Sequence, residues 1–294
     1  MGGGVSNHDQ NGNSAWGTYN ASSLPYYAGS GFSRGGSVPW GSISTGNSNP
    51  YTSAPRSGTT TRTYRFTLSE CDIKPDGVVT SGAVCVNGQF PGPLISANYG
   101  DSISITVTNN LTDEGTSMHW HGFLQTNNNQ NDGVPGVTQC PIAPGQSYTY
   151  NFKAELYGSS WYHTHYSAQY AGGAVGPIVI YRPYNSAYDV DVGPVMLMEW
   201  YRNNYKANVK GLMNPIAKGG PALPTANSNL INGKMRFDCS QTKLKCDTAS
   251  YAAFNFTSGK NHRLRLMNIG SGAVQKFSID NHVMQVISND YMPI

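Results

Sequence analysis

Charge is scarce in this chain. Asp, Glu, Lys and Arg make up 12% of its 294 residues, too little for a coiled coil or an acidic tail, which need charged faces or runs. No stretch approaches the eighteen or so consecutive apolar residues of a spanning helix, and runs such as 177–181 and 194–198 are strand-sized, so no membrane span is expected. The cysteines contain no C-x-x-C, which removes zinc knuckles and thioredoxin-type motifs. No glycine-rich phosphate loop opens a helix, nothing matches serine or cysteine hydrolysis, and no solenoid repeat is visible. The basic residues after position 183 are scattered through apparent strands and loops, so the net charge of +3 gives no nucleic-acid footprint. A secretory leader is missing too: Met1 is followed by Gly-Gly-Gly-Val-Ser-Asn, so a leader, if the protein has one, lies outside this sequence.

The chain is rich in turn formers and aromatics. Its 34 glycines, 17 prolines and 19 tyrosines describe half-buried strands broken by turns, and argue against an all-helical protein. Residues 1–60 stand apart: 12 Gly, 12 Ser and 6 Asn fill half of them, so they cannot bury enough apolar surface to offset their ordering entropy. They are expected to be disordered, as a flexible leader or, through Trp16 and the tyrosines, an adhesive one. From Thr63 alternation takes over, at Ile103, Ile105 and Val107, and again at Tyr148, Tyr150 and Phe152. Asp76-Gly77, Asn87-Gly88, Pro91-Gly92, Asp132-Gly133 and Pro144-Gly145 supply the turns of an all-β sandwich or barrel over 61–183. Residues 182–186 read as a linker. Strand patterns at 195–200, 262–267, 275–279 and 282–288 then begin a second β unit over 184–294, which the sequence presents as incomplete.

Five cysteines leave one over. Neighbourhood pairs Cys71 with Cys85 and Cys239 with Cys246, leaving Cys140, unless all five are buried thiols. With N-x-[ST] acceptors at Asn20, Asn110 and Asn255, this predicts an oxidising, extracellular setting.

Two identical doublets, His119-Trp120-His121 and His163-Thr164-His165, carry the sharpest signal. In extended backbone residues i and i+2 share a face, about 7 Å apart. Adjacent strands would bring four imidazoles to one spot. An all-nitrogen site favours copper among divalent ions, and neither doublet contains a carboxylate that would indicate a facial triad. The competing reading is a polar core of satisfied histidines. His8 falls in the leader, and His262 and His282 read as strand or turn surface. Trp120 and Trp161 would either wall the site or pack the core.

The segments 115–122 (GTSMHWHG), 132–142 (DGVPGVTQCPI) and 160–165 (SWYHTH), with 87–93 (NGQFPGP), resemble the first cupredoxin domain of a multicopper oxidase. They are most similar to the N-terminal portion of a fungal, ascomycete-type laccase. Residues 230–233, 263–266 and 278–282 resemble the start of the second cupredoxin domain. The resemblance implies a cupredoxin-like (plastocyanin-like) Greek-key sandwich, one complete domain plus an incomplete second. It implies copper as cofactor: His119 resembles a ligand of type 2 copper, His121 and His163 ligands of one type 3 copper, and His165 a ligand of the other. The activity implied is oxidation of a phenolic or similar reductant coupled to four-electron reduction of O2. The family's His-Cys-His stretch, source of the type 1 site, is absent from this sequence, so this chain alone would lack an electron entry. Cys140 stands where the family bonds a C-terminal cysteine, and Glu199 where relatives often have Asp, which puts a proton-relay role there in doubt. The alternatives are a non-catalytic copper-binding extracellular protein, and two chains pooling eight histidines.

Overall fold

Alternation decides the first strands. Along 102–109, Ile103, Ile105 and Val107 are buried while the intervening serines and threonines stay half-buried, as a sheet packed on one face requires. The computed structural model describes residues 61–181, 186, 188–214 and 223–294. The expected disorder and adhesion of 1–60, with His8, Trp16 and Asn20, lie outside the described residues, as does the expected linker except for Ser186.

In chain order, β1 (Thr61–Ile73), β2 (Thr80–Val86), β3 (Ile95–Asn98), β4 (Ser102–Asn109), β5 (Met118–Trp120), β6 (Ser147–Lys153), β7 (Gly158–Thr164) and β8 (Val175–Tyr181) form two sheets. One has the order β2-β1-β4-β6, the other β3-β8-β7-β5. Neighbours are antiparallel except β1 with β4 and β3 with β8. Phe66, Ile105, Tyr150 and Phe152 from the first sheet meet Trp120, Tyr162, Ile178 and Ile180 from the second in one core. Each large side chain buried there contributes about 1.5–3 kcal/mol. Asn87 and Gly88 turn β2 back on itself with φ of 55° and 70°, the left-handed pair that a two-residue turn demands and that Asn-Gly tolerates.

β8 is buried along its whole length. Its other face, with Val175, Val179 and Tyr181, meets Met196, Met198 and Trp200 of β9 (Val190–Trp200) in a second core. This is why 177–181 reads as a continuous apolar run: a strand covered on both faces has no wet side. β9 is followed by a short helix, α1 (Tyr205–Met213), whose first residue packs into the first core. A sheet of order β10-β9-β11, with β10 (Ser228–Ile231) and β11 (His262–Asn268), and a hairpin of β12 (Ser288–Asn289) and β13 (Met292–Pro293) complete the described elements.

Both expected disulfides form, Cys71 with Cys85 joining β1 to β2, and Cys239 with Cys246; Cys140 is exposed and belongs to neither. The five-thiol alternative is thereby excluded. The strands expected at 275–279 and over most of 282–288 are not formed; only Ser288 enters a short hairpin. Val274, Val283 and Val286 stand 90%, 101% and 68% exposed, so alternation there is not matched by a partner strand or covering layer among the described residues. No described helix is long and apolar enough to cross a membrane.

Candidate metal centre

The pairing of β5 with β7 assembles the site. Their antiparallel register sets His119 directly opposite His163. The ladder continues past both strands: His121 N–H donates to the Trp161 carbonyl, and His165 N–H to the Ser117 carbonyl. One face of this two-stranded ribbon therefore carries all four imidazoles, while Met118, Trp120 and Tyr162 point the other way into the core.

The rings lie close together. Centroids are 6.1 Å apart within the first doublet and 5.9 Å within the second. Across the strands they are 5.2 Å apart for His119 and His163, 5.6 Å for His121 and His163, and 5.5 Å for His119 and His165. Ligating nitrogens of His119, His121 and His163 all fall within 4.8 Å of one another. His165 flanks this trio, with its side chain exposed.

Backbone carbonyls select which nitrogen each ring presents. His119 Nδ1 lies 2.7 Å from the Asp132 carbonyl oxygen and His163 Nδ1 lies 3.0 Å from that of Thr164. A carbonyl only accepts, so both Nδ1 atoms carry the proton and donate, leaving the Nε2 lone pairs for a metal. His121 differs, its Nδ1 facing His163 Nε2 at 3.4 Å. Electrostatics keeps the buried ring neutral: desolvation pushes the His163 pKa down to about 3, its histidine neighbours adding to the shift and the Thr164 carbonyl opposing it. Burial, then His119, also lowers His121, against the pull of Asp290. Neutral imidazoles with aimed lone pairs fit a copper ion.

Gly133 makes the Asp132 contact possible. With φ of +84° it lets the loop lie so close to β5 that a Cβ there would be driven into the Met118 carbonyl. The two tryptophans divide the expected roles. Trp161 stacks on His121, centroids 5.0 Å apart, and lies 4.3 Å from His163, walling the site; Trp120 is wholly in the core, its Nε1–H donating to the Asn131 carbonyl at 3.0 Å. Composition and spacing did not point to Gln169, Tyr170 or Ser160. Gln169 binds Thr116 and Gly115, Tyr170 lies 5.4 Å from His163, and Ser160 Oγ donates to the His121 carbonyl at 2.7 Å. Asp132 was visible as half of a turn and as the start of segment 132–142, not as a partner of His119.

His262 and His282 stay away from the cluster, their Nδ1 atoms bonded to the carbonyls of Lys260 and Asp280. Glu199 is buried, and its Oε1 accepts the N–H groups of Ser271 and Gly272, both at 2.6 Å, so its carboxylate anchors the loop after β11.

Residues 67–185 match a family model described as multicopper oxidase, and residues 191–294 match another with the same description. The chain is 43% identical over 257 residues to Laccase-2 of Botryotinia fuckeliana, covering 87% of this chain and 43% of that protein. It is 42% identical over 234 residues to the dihydrogeodin oxidase of Aspergillus terreus, covering 79% and 38%. The crystal structure of a laccase from Botrytis aclada superposes with a TM-score of 0.79 at 40% identity, over 87% of this chain and 46% of that one. The chain thus spans less than half the length of these relatives. The all-β, cupredoxin-like architecture expected from the sequence is the fold. Two consecutive matches of one description, on a scaffold shared with a laccase, make this chain a member of the multicopper oxidase family of copper-dependent oxidoreductases.

Proposed function

We propose that this chain is the N-terminal part of a secreted laccase-like oxidase, with a first cupredoxin unit over 61–183 and the start of a second over 184–294. Such an oxidase couples one-electron oxidation of phenolic or similar small molecules to four-electron reduction of O2 to water. In this reading His119 holds a type 2 copper, His121 and His163 hold one type 3 copper, and His165 contributes to the other. The remaining ligands and the type 1 site are supplied by other parts of that oxidase. The observation that carries the reading is the trio of ligating nitrogens within 4.8 Å on one face of the β5–β7 ribbon. Copper, when bound, supplies one-electron redox chemistry and a place for O2. The protein's own contribution is geometric. The strand ladder fixes ring spacing, the Asp132 and Thr164 carbonyls fix which nitrogens are offered, and Trp161 shields one side from water.

The test is copper content together with oxygen uptake on the full-length protein. His121→Ala with His163→Ala should lower copper stoichiometry and abolish phenol-dependent oxygen consumption. Unchanged copper content would make the histidines structural. Full copper loading in the unmutated protein, with neither blue absorbance nor oxygen uptake, would leave a copper-binding protein and reject the oxidase.

A further inference from the structure

The run 125–131 (QTNNNQN) carries six side-chain amides in seven residues, and the histidine cluster uses none of them. It lies along β6, the outer strand of its sheet. There it does the work of a neighbouring strand: Asn131 Oδ1 accepts the Asn151 N–H at 3.1 Å, and Asn128 Nδ2 donates to the Asn151 carbonyl at 2.8 Å. Asn128 is saturated. Its Nδ2 also donates to Gln125 Oε1 at 2.9 Å, and its Oδ1 accepts from Gln130 Nε2 at 2.9 Å and Asn131 Nδ2 at 2.7 Å. In this run one buried donor is left over. Gln125 is 4% exposed, yet its Nε2 meets no acceptor among the described residues. Its backbone is held at a φ of 50°, a left-handed conformation uncommon for glutamine and kept only where the surroundings enforce it. Glu155 is part of that enforcement, its Oε1 accepting the Thr126 N–H at 3.3 Å.

Gln125 lines a cavity of about 410 Å³ between this run and the end of the sheet where Ser102 of β4 pairs with Lys153 of β6. That volume suits a small molecule, whose sites span about 300–1,000 Å³. Asn128, Asn151, Ser102 and Ser104 add further amides and hydroxyls to the lining. The charged side chains there, Lys153 and Glu155, are of opposite sign and cancel. Ile103 and Phe152 contribute apolar wall. Farther along the same two strands the facing hydroxyls bond each other, Thr106 with Thr149 at 3.0 Å and Thr108 with Ser147 at 2.9 Å. In the cavity Ser102 and Ser104 face Lys153 and Asn151 instead, with no such cross-strand bond among the described residues. Amides and hydroxyls offer donors and acceptors together, which matches a ring of hydroxyls, while a lining without net charge gives a phosphate or a sugar acid nothing to pair with. We propose that this cavity binds a neutral pyranose sugar, free or as the end unit of a glycan chain, with Gln125 Nε2 donating to one of its oxygens. The site is separate from the histidine cluster and does not depend on metal.

The experiment titrates the nitrogen-15-labelled chain with glucose, mannose, cellotetraose and glucuronate, and follows its side-chain amide resonances. A saturable shift of the Gln125 amide is expected with the neutral sugars and not with glucuronate. Tighter binding of cellotetraose than of glucose assigns a chain end, and equal binding assigns a free sugar. Gln125→Glu, which turns the unpaired donor into an acceptor, should weaken binding about tenfold. Ser104→Ala, on a strand that the change leaves intact, should weaken it less, and Thr106→Val, beyond the cavity, should leave it unaltered. Should Gln125→Glu fail to fold, the contrast between Ser104→Ala and Thr106→Val and the Gln125 resonance of the unmutated chain carry the test. A Gln125 amide that none of the neutral sugars moves, glucuronate bound as tightly as glucose, or an affinity indifferent to both Gln125→Glu and Ser104→Ala would overturn the proposal.

Discussion

Gln169 ties the two histidine doublets together from behind, and replacing it with leucine separates positioning from mere packing. Its amide is fully buried between the chain entering β5 and the turn leaving β7. Oε1 accepts from Thr116 Oγ1 at 2.8 Å and Nε2 donates to the Gly115 carbonyl at 2.9 Å. Thr116 lies three positions before His119 and Gln169 four after His165, so the amide braces the same ribbon that spaces the rings. Gln169→Leu retains the volume and orphans a buried hydroxyl and a half-buried carbonyl. At roughly 1–3 kcal/mol for the buried hydroxyl and less for the half-buried carbonyl, the expected loss is about 2–4 kcal/mol. Loss of a residue supporting metal ligands lowers metal affinity about 10- to 100-fold. Denaturant melts give the first quantity, and copper titration against a competing chelator gives the second. Thr116→Val, which removes one of the two bonds, should give the smaller effect on both. If Gln169→Leu loses stability but binds copper as tightly as the unmutated chain, the brace is structural and the positioning argument fails.

Asp191→Asn leaves Arg265 buried without its counter-charge and should cost about 3–5 kcal/mol in denaturant melts; a loss under 1 kcal/mol would mean the pair is solvated. Gly133→Ala forces a Cβ toward the Met118 carbonyl at a positive φ, so it should withdraw the Asp132 carbonyl from His119 and weaken copper retention, which a copper titration of the variant checks. Folded His163 stays neutral down to about pH 3, while in the unfolded chain it takes up a proton below about pH 6.5. Its contribution is therefore intact above pH 6.5 and is lost as the pH falls toward 3, by up to about 1.4 kcal/mol per pH unit. Guanidinium melts of metal-free protein at pH 7.5 and 5.0 should register about 2 kcal/mol more loss in the unmutated chain than in His163→Asn.

Period-two patterning was enough to find β4, β6 and the ribbon that presents the histidines, because each has one face on a core and one off it. It also found β11, at 262–267, but not which face is buried: Arg263, Arg265 and Met267 are inside and Leu266 is exposed, with Arg265 held by Asp191 and Ser159 through a long-range pairing that no local window contains. It misled where no covering layer exists among the described residues. At 275–279 and 282–288 the alternation exists but meets no partner strand among the described residues. The histidine doublets were legible as residue types. Their supports were not, because the atom acting on His119 is a backbone carbonyl and the one on Gly115 belongs to a glutamine 54 positions away. Trp120 and Trp161 look equivalent in sequence, each beside a histidine, and only strand parity sends one inward and the other to the site.

Parity also binds the metal centre to the core. A one-residue slip of β5 against β7 would exchange His119 and His121 for Met118 and Trp120, exposing a large buried indole while burying imidazoles in apolar surroundings. The register that fills the core is therefore the register that aims the four imidazoles. Trp120 extends the link: its indole N–H holds the Asn131 carbonyl, and the next carbonyl along the chain, that of Asp132, holds the His119 ring. Packing at the centre of the sandwich and orientation of a nitrogen at its surface are thus consecutive steps on one stretch of backbone, which is how a fold without a dedicated metal loop can hold imidazoles at fixed spacing.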